Sequence, residues 1–269
     1  MSAATVVPDT HVLHRGNTAL LLSFPHVGTV IPADQVHRYT ERALGVEDTD
    51  WFLDRLYDFA RERGATLIVP RYSRYLIDLN RSSDNAPMYP GRNNTELCPT
   101  RHFTGDALYR EGCAPDAAEV ARRIAAYWAP YHGALQVELD HIRGVHGHAV
   151  LFDAHSILSE VPWLFEGRLP NMSVGTADGA SCAPSLREAL GHVFASQAAF
   201  SHVLDGRFKG GHITRHYGRP DDGVHAVQLE MALRSYMHET QPYTWNSTLA
   251  TGVTPLLRNV VDTMLAWRP

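Results

Sequence analysis

Four groups capable of chemistry stand at or just beyond the ends of short apolar runs in this 269-residue chain. His26 follows TALLLSF, Asn80-Arg81 follows Tyr75–Leu79, His155 follows AVLFDA, and Glu230 closes VHAVQLE. A core strand ordinarily finishes in Gly, Asn or Ser, so four such endings point to one shared site. Two histidines and a carboxylate, with a fourth position open to water, make a catalytic rather than a structural zinc site. Zinc there would polarise a carbonyl and bring the pKa of bound water to ~7, giving a hydroxide nucleophile at neutral pH.

Each residue also has an ordinary role. His26 lies in SFPHVG, where Pro25 fixes the backbone and Gly28 permits close approach, and its plain role is a turn histidine. In FDAHS, Asp153 can stand behind the His155 ring and orient it as a metal ligand, or be a buried structural acid. His155 is the strongest single ligand candidate. In EDTDW, Asp48 suits a helix N-cap, which lets Asp50 turn inward, with Glu47 and Asp48 as competitors for any ligand role. Glu230 is a charge in an apolar strand, where partial burial would raise its pKa toward that of a general base; the alternative is a salt bridge to an arginine. Asn80 and Arg81 form the best carboxylate-binding pair, with Asp78 restraining the guanidinium or the strand. Arg215, beyond Gly210-Gly211, is a second anion-binding candidate, and Arg74 a third that could stabilise an oxyanion.

These groups need a scaffold of buried strands and covering helices. Thr18 to Phe24, residues 66–69, 75–79 and 149–154, and the first half of 224–233 read as strands. Helical spacing marks 51–60, stopped by Gly64, then 116–143 with a bend or break near Pro130, 185–200 and 249–267. The alternation predicts an α/β fold, a single three-layer domain over residues 1–269 with a mostly parallel, mixed central sheet flanked by helices. Functional groups in such sheets gather beyond the carboxyl ends of the strands.

A hydrophobic content of 44% and a charged content of 20% argue against disorder, and a net charge of −5 lacks the basic footprint of a nucleic-acid binder. The cations are almost all arginine, Lys209 being the one lysine, a bias that a GC-rich genome would also give. Three scattered cysteines form no CxxC pair, which fits a reducing, cytoplasmic setting. Residues 1–15 show no signal-peptide pattern, and no apolar run approaches the ~18–20 residues that cross a bilayer. Oligomeric state is not legible. GxGxxG after a first strand, a Walker loop, GxSxG and HExxH are all missing.

The succession PHVG, EDTDW, DLNRSSD, LCPTRHFTG, FDAHS, KGGHITRHYG and QLEM resembles the N-formylglutamate amidohydrolase (N-formylglutamate deformylase) family from about Leu20 to about Met237. The resemblance implies a cytoplasmic, metal-dependent hydrolysis of N-formyl-L-glutamate to formate and L-glutamate in histidine degradation. It also implies a phosphorylase/hydrolase-like fold, distantly similar to zinc carboxypeptidases and aspartoacylases. By that wider likeness, Asn80-Arg81 matches the pair that binds a substrate carboxylate, His26 and His155 the first and late metal ligands, and Glu230 the catalytic glutamate. Those relatives place a glutamate ligand three residues after the first histidine, where this chain has Thr29, so Asp50 is taken as the carboxylate ligand. His212 stands where the commoner deformylase pattern has tyrosine. The expected site is therefore a divalent ion, zinc first and cobalt, manganese or iron as alternatives, on His26, Asp50 and His155. Glu230 would be the general base, Arg74 the oxyanion partner, and Asn80, Arg81 and Arg215 the carboxylate anchors. The alternative activity is a related metallohydrolase of another N-acyl amino acid or small peptide, and the rival of another class is a non-catalytic binder of an acidic metabolite.

Overall fold

Leu20, Leu21 and Leu22 are all fully buried because the strand they form lies inside a sheet covered on both faces. The structure, a computed structural model, describes residues 9–88 and 93–269; part of the N-terminal stretch read above for a leader lies outside them. Among the described residues seven strands make one sheet: β1 (His11–His14), β2 (Leu20–Ser23), β3 (Thr66–Pro70), β4 (Ala149–Ile157), β5 (Met172–Gly175), β6 (His202–Leu204) and β7 (Val224–Ala232). Their order is β1-β3-β2-β4-β7-β5-β6, with β1–β3 and β7–β5 antiparallel and the other pairings parallel. The helices are α1 (Leu53–Leu56), α2 (Phe59–Glu62), α3 (Ala117–Arg123), α4 (Ala129–His146), α5 (Pro184–Ala195), α6 (His212–Tyr217) and α7 (Ser247–Ala266). Among the described residues no helix is long and apolar enough to cross a membrane.

Side chains alternate across the sheet with period two. Leu20, Leu22, Val150, Phe152, Val227 and Leu229 face one way, against α1, α2, α5 and α7. Leu21, Ala149, Leu151, Val224 and Ala226 face the other, against α4 and α6. This second face changes chemistry along its length. Leu21 gives way to Ser23, Leu151 to Asp153 and His155, and Ala226 to Gln228 and Glu230. The parallel register sets Ser23 opposite Asp153, Asp153 opposite Gln228, and His155 opposite Glu230. Three neighbouring strands thus offer an apolar half to α4 and a polar half at their carboxyl ends.

Several local expectations need correction. Tyr75–Leu79 is not a strand but a run of turns. Its apolar residues are satisfied by burial, Tyr75 in a cluster with Tyr39 and Tyr109 and Leu76, Ile77 and Leu79 in the core under α4. Its backbone bonds go to Ser73 and Leu97 rather than to a neighbouring ladder. The single helix expected over 51–60 is two one-turn helices, entered through Phe52 in the left-handed conformation. Asp48 caps no helix, since its Oδ2 accepts the Phe103 amide at 2.9 Å. The break expected near Pro130 in the long helix is present, as a π turn over Ile124–Trp128 just before that proline, whose ring nitrogen offers no donor. Short strands β1, β5 and β6 carried too little periodicity to be read.

Candidate metal centre

The PHVG turn carries His26 off the end of β2. Gly28 is needed there, because a Cβ would come within 2.2 Å of the Tyr72 carbonyl oxygen. The Asp50 amide donates to the His26 carbonyl at 3.0 Å and ties the EDTDW segment to this turn. His155 comes from β4. One donor atom from each of His26, Asp50 and His155 lies within 4.8 Å of the others, and all three residues are buried. Asp50 Oδ2 is 3.7 Å from His26 Nδ1 and 3.2 Å from His155 Nδ1.

The outward nitrogens are held by carboxylates. His26 Nε2 meets Asp78 Oδ1 at 2.7 Å and His155 Nε2 meets Asp153 Oδ2 at 3.0 Å. A ring whose Nε2–H is donated outward presents its Nδ1 lone pair inward, the arrangement in which histidines ligate metals. Asp78 has further tasks: Oδ2 accepts from Arg74 Nη2 at 2.6 Å and Oδ1 accepts the Asn80 amide at 2.8 Å. Asn80 Oδ1 accepts from the Ile213 amide at 2.8 Å, which turns its Nδ2 toward Asp153 and the His155 ring. Gly211 lets the start of α6 lie against that amide, since a Cβ would come within 2.2 Å of it.

Electrostatics follow from burial and these neighbours. Burial, aided by the Arg74 charge, lowers the His26 pKa and keeps the ring neutral. Burial also opposes charge on His155, but Asp153 and Asp50 outweigh it and hold its pKa well above the ordinary value. The Nδ1–H of that ring then donates toward Asp50, so a proton occupies the place where a cation would be shared. Burial would raise the Asp78 carboxyl, yet His26 and Arg74 drive it well below the usual range. Glu230 keeps some surface toward the cavity, but burial, against the pull of His155, pushes it up to about 8. The donor set is thus one neutral ring, one ring whose proton a cation can replace, and a carboxylate, which fits zinc and equally cobalt, manganese or iron.

A model of the family described as N-formylglutamate amidohydrolase matches residues 18–237. The chain belongs to this family. It is 47% identical over 254 residues to an N-formylglutamate deformylase of Pseudomonas putida and 48% identical over 253 residues to one of Pseudomonas aeruginosa; each match covers 94% of this chain and 95% of the relative. Its fold is that of an N-formylglutamate amidohydrolase from Ralstonia eutropha JMP134, with a TM-score of 0.80 at 23% identity over 95% of this chain and 96% of that one. A gene product of Agrobacterium tumefaciens gives a TM-score of 0.74 at 18% identity over 98% and 97%.

The cavity beside the cluster is lined by His26, Arg74, Asn80, Arg81, His155 and Glu230 among others. Asp50 lies behind this lining, in the ligand cluster, whereas Arg215 belongs to neither. It is exposed, its Nε donates to the Gly210 carbonyl at 2.8 Å, and it does not line the cavity. The six-residue helix α6 turns it away from the strand ends. Arg207 lines the cavity instead, and sequence reasoning passed over it. Its only signal was its place just ahead of the Gly210-Gly211 pair. Glu47, a competitor for the ligand role, is engaged by Arg42, His102 and Gln241.

Proposed function

We propose that this chain hydrolyses the formamide C–N bond of N-formyl-L-glutamate to formate and L-glutamate, in the cytoplasm and as a step of histidine degradation. The reading includes one divalent ion, zinc first, held by His26, Asp50 and His155. The observation that carries it is the convergence of those three buried donors, two of which, His26 and His155, line one cavity with Glu230, in a chain whose relatives are named N-formylglutamate deformylases.

An ion on these residues supplies Lewis-acid polarisation of the formyl carbonyl and acidifies water. The remaining work belongs to side chains. Glu230, in its carboxylate form, takes a proton from the attacking water and returns it to the amine nitrogen as the C–N bond breaks. Arg74, tied through Nη2 to Asp78, also donates from Nη1 to His26 Nδ1 at 3.2 Å. That nitrogen has one lone pair, so were His26 to hold a metal through it, Arg74 Nη1 would be left to donate to the developing oxyanion. Asn80 and Arg81 hold a substrate carboxylate by charge-assisted hydrogen bonds.

A panel of N-formyl-L-glutamate, N-acetyl-L-glutamate and small peptides separates this reading from a related hydrolase of the same fold. Formate release from the first, with little turnover of the others, is expected. Preference for an acetyl compound or a peptide would overturn it.

A further inference from the structure

N-formyl-L-glutamate carries two carboxylates, and one guanidinium cannot face both while the formamide lies at the ligand cluster. Among the described residues three arginines line the cavity: Arg74, Arg81 and Arg207. Arg74 is committed to Asp78 and His26. Arg81 is anchored by the Thr95 carbonyl at 3.0 Å, the Thr95 hydroxyl at 2.7 Å and the Asn80 carbonyl at 3.0 Å. These are neutral oxygens, so the charge of Arg81 stays available to an anion. Its neighbour Asn80 places Nδ2 within 2.9 Å of the His155 ring, so Arg81 stands next to the ligand cluster. The α-carboxylate belongs there, because its carbon is bonded to the same Cα as the formamide nitrogen. The side-chain carboxylate lies three carbons beyond that Cα and needs a cation farther along the cavity.

Arg207 reaches the cavity from another element, the segment between the edge strand β6 and α6. Its Nη2 donates to the Leu164 carbonyl at 3.1 Å and its guanidinium lies 5.3 Å from the centre of the Phe208 ring. Phe208 packs edge-on against Phe165 at 5.9 Å. Leu164 and Phe208 also line the cavity, so this cation sits in an apolar wall, where a carboxylate partner is attracted more strongly than in water. Resting on the proposed reaction, we infer that Arg207 grips the side-chain carboxylate and sets the preference for acidic N-formyl amino acids.

The test compares N-formyl-L-glutamate with its neutral isostere N-formyl-L-glutamine, using the full chain and the variants Arg207→Gln and Arg207→Lys. The parent should prefer the glutamate compound. Arg207→Gln should cut kcat/KM on that compound by about tenfold or more, mainly through KM, as expected for removing one partner of a half-buried charge pair. The preference should collapse with it, and Arg207→Lys should restore part of it. Equal slowing of both substrates would make Arg207 a wall residue and overturn the inference, as would an unchanged preference. A parent that turns over N-formyl-L-glutamate in either case leaves the proposed reaction standing. A parent that releases no formate from it sinks that reaction, and this inference falls too.

Discussion

Replacing Asp78 by alanine should damage the centre more than replacing any surface acid, for reasons that can be counted. The carboxylate is fully buried and accepts from His26 Nε2 at 2.7 Å, Arg74 Nη2 at 2.6 Å and the Asn80 amide at 2.8 Å. Asp78→Ala leaves the Arg74 guanidinium, itself only 6% exposed, without its strongest partner. Breaking a buried ion pair by removing one side costs ~3–5 kcal/mol. The same change frees the His26 ring to rotate or change tautomer, and loss of such a supporting group typically weakens metal binding about 10–100-fold. Asp78→Asn keeps the volume and one acceptor but turns an NH2 group toward another donor, so it should fall between parent and alanine. Urea denaturation of the chelator-treated proteins gives the stability, and competition with a chromophoric zinc chelator gives the affinity. An alanine variant that loses less than ~1 kcal/mol and binds zinc within about twofold of the parent would refute the reasoning.

Two further outcomes follow from the titrating groups. His155 keeps its proton above its ordinary pKa, so an arriving ion must displace it. Zinc uptake by the stripped chain should release about one proton and strengthen as pH rises, up to about tenfold per unit while His155 remains protonated, and calorimetry in buffers of different ionisation enthalpy should read this; uptake with no proton release would contradict it. Glu230 holds its proton to about pH 8 in the folded, metal-free chain, against 4.5 for a free side chain. The unfolded state therefore loses a proton that the folded state keeps, and stability falls as pH rises from the lower value to the higher. Glu230→Gln has no such proton, so at pH 8 it should exceed the metal-free parent by on the order of 5 kcal/mol, with little difference near pH 4.5, while losing formate release and retaining zinc. A stability difference that does not change with pH would remove the pKa argument.

The central strands were legible because burial on both faces leaves continuous apolar runs, as in TALLLSF and AVLFDA. Polar endings on those runs located His155 and Glu230, since parallel strands bring their carboxyl ends to one side of the sheet. The Tyr75–Leu79 stretch misled because burial inside packed turns leaves the same apolar signature as pairing in a sheet. Choosing among Glu47, Asp48 and Asp50 depends on the backbone path through Asp50 N–H to the His26 carbonyl and through left-handed Phe52, and no propensity marks either feature. Arg207 and Arg215 are separated by eight residues, and only the turn into α6 decides which of them faces the cavity.

The most direct test of a single ion on His26, Asp50 and His155 is a titration of chelator-stripped chain with zinc while formate release from N-formyl-L-glutamate is followed. Activity should climb from near zero and break at one equivalent per chain. Full activity in the stripped chain, or a titration with no break at one equivalent, would contradict it.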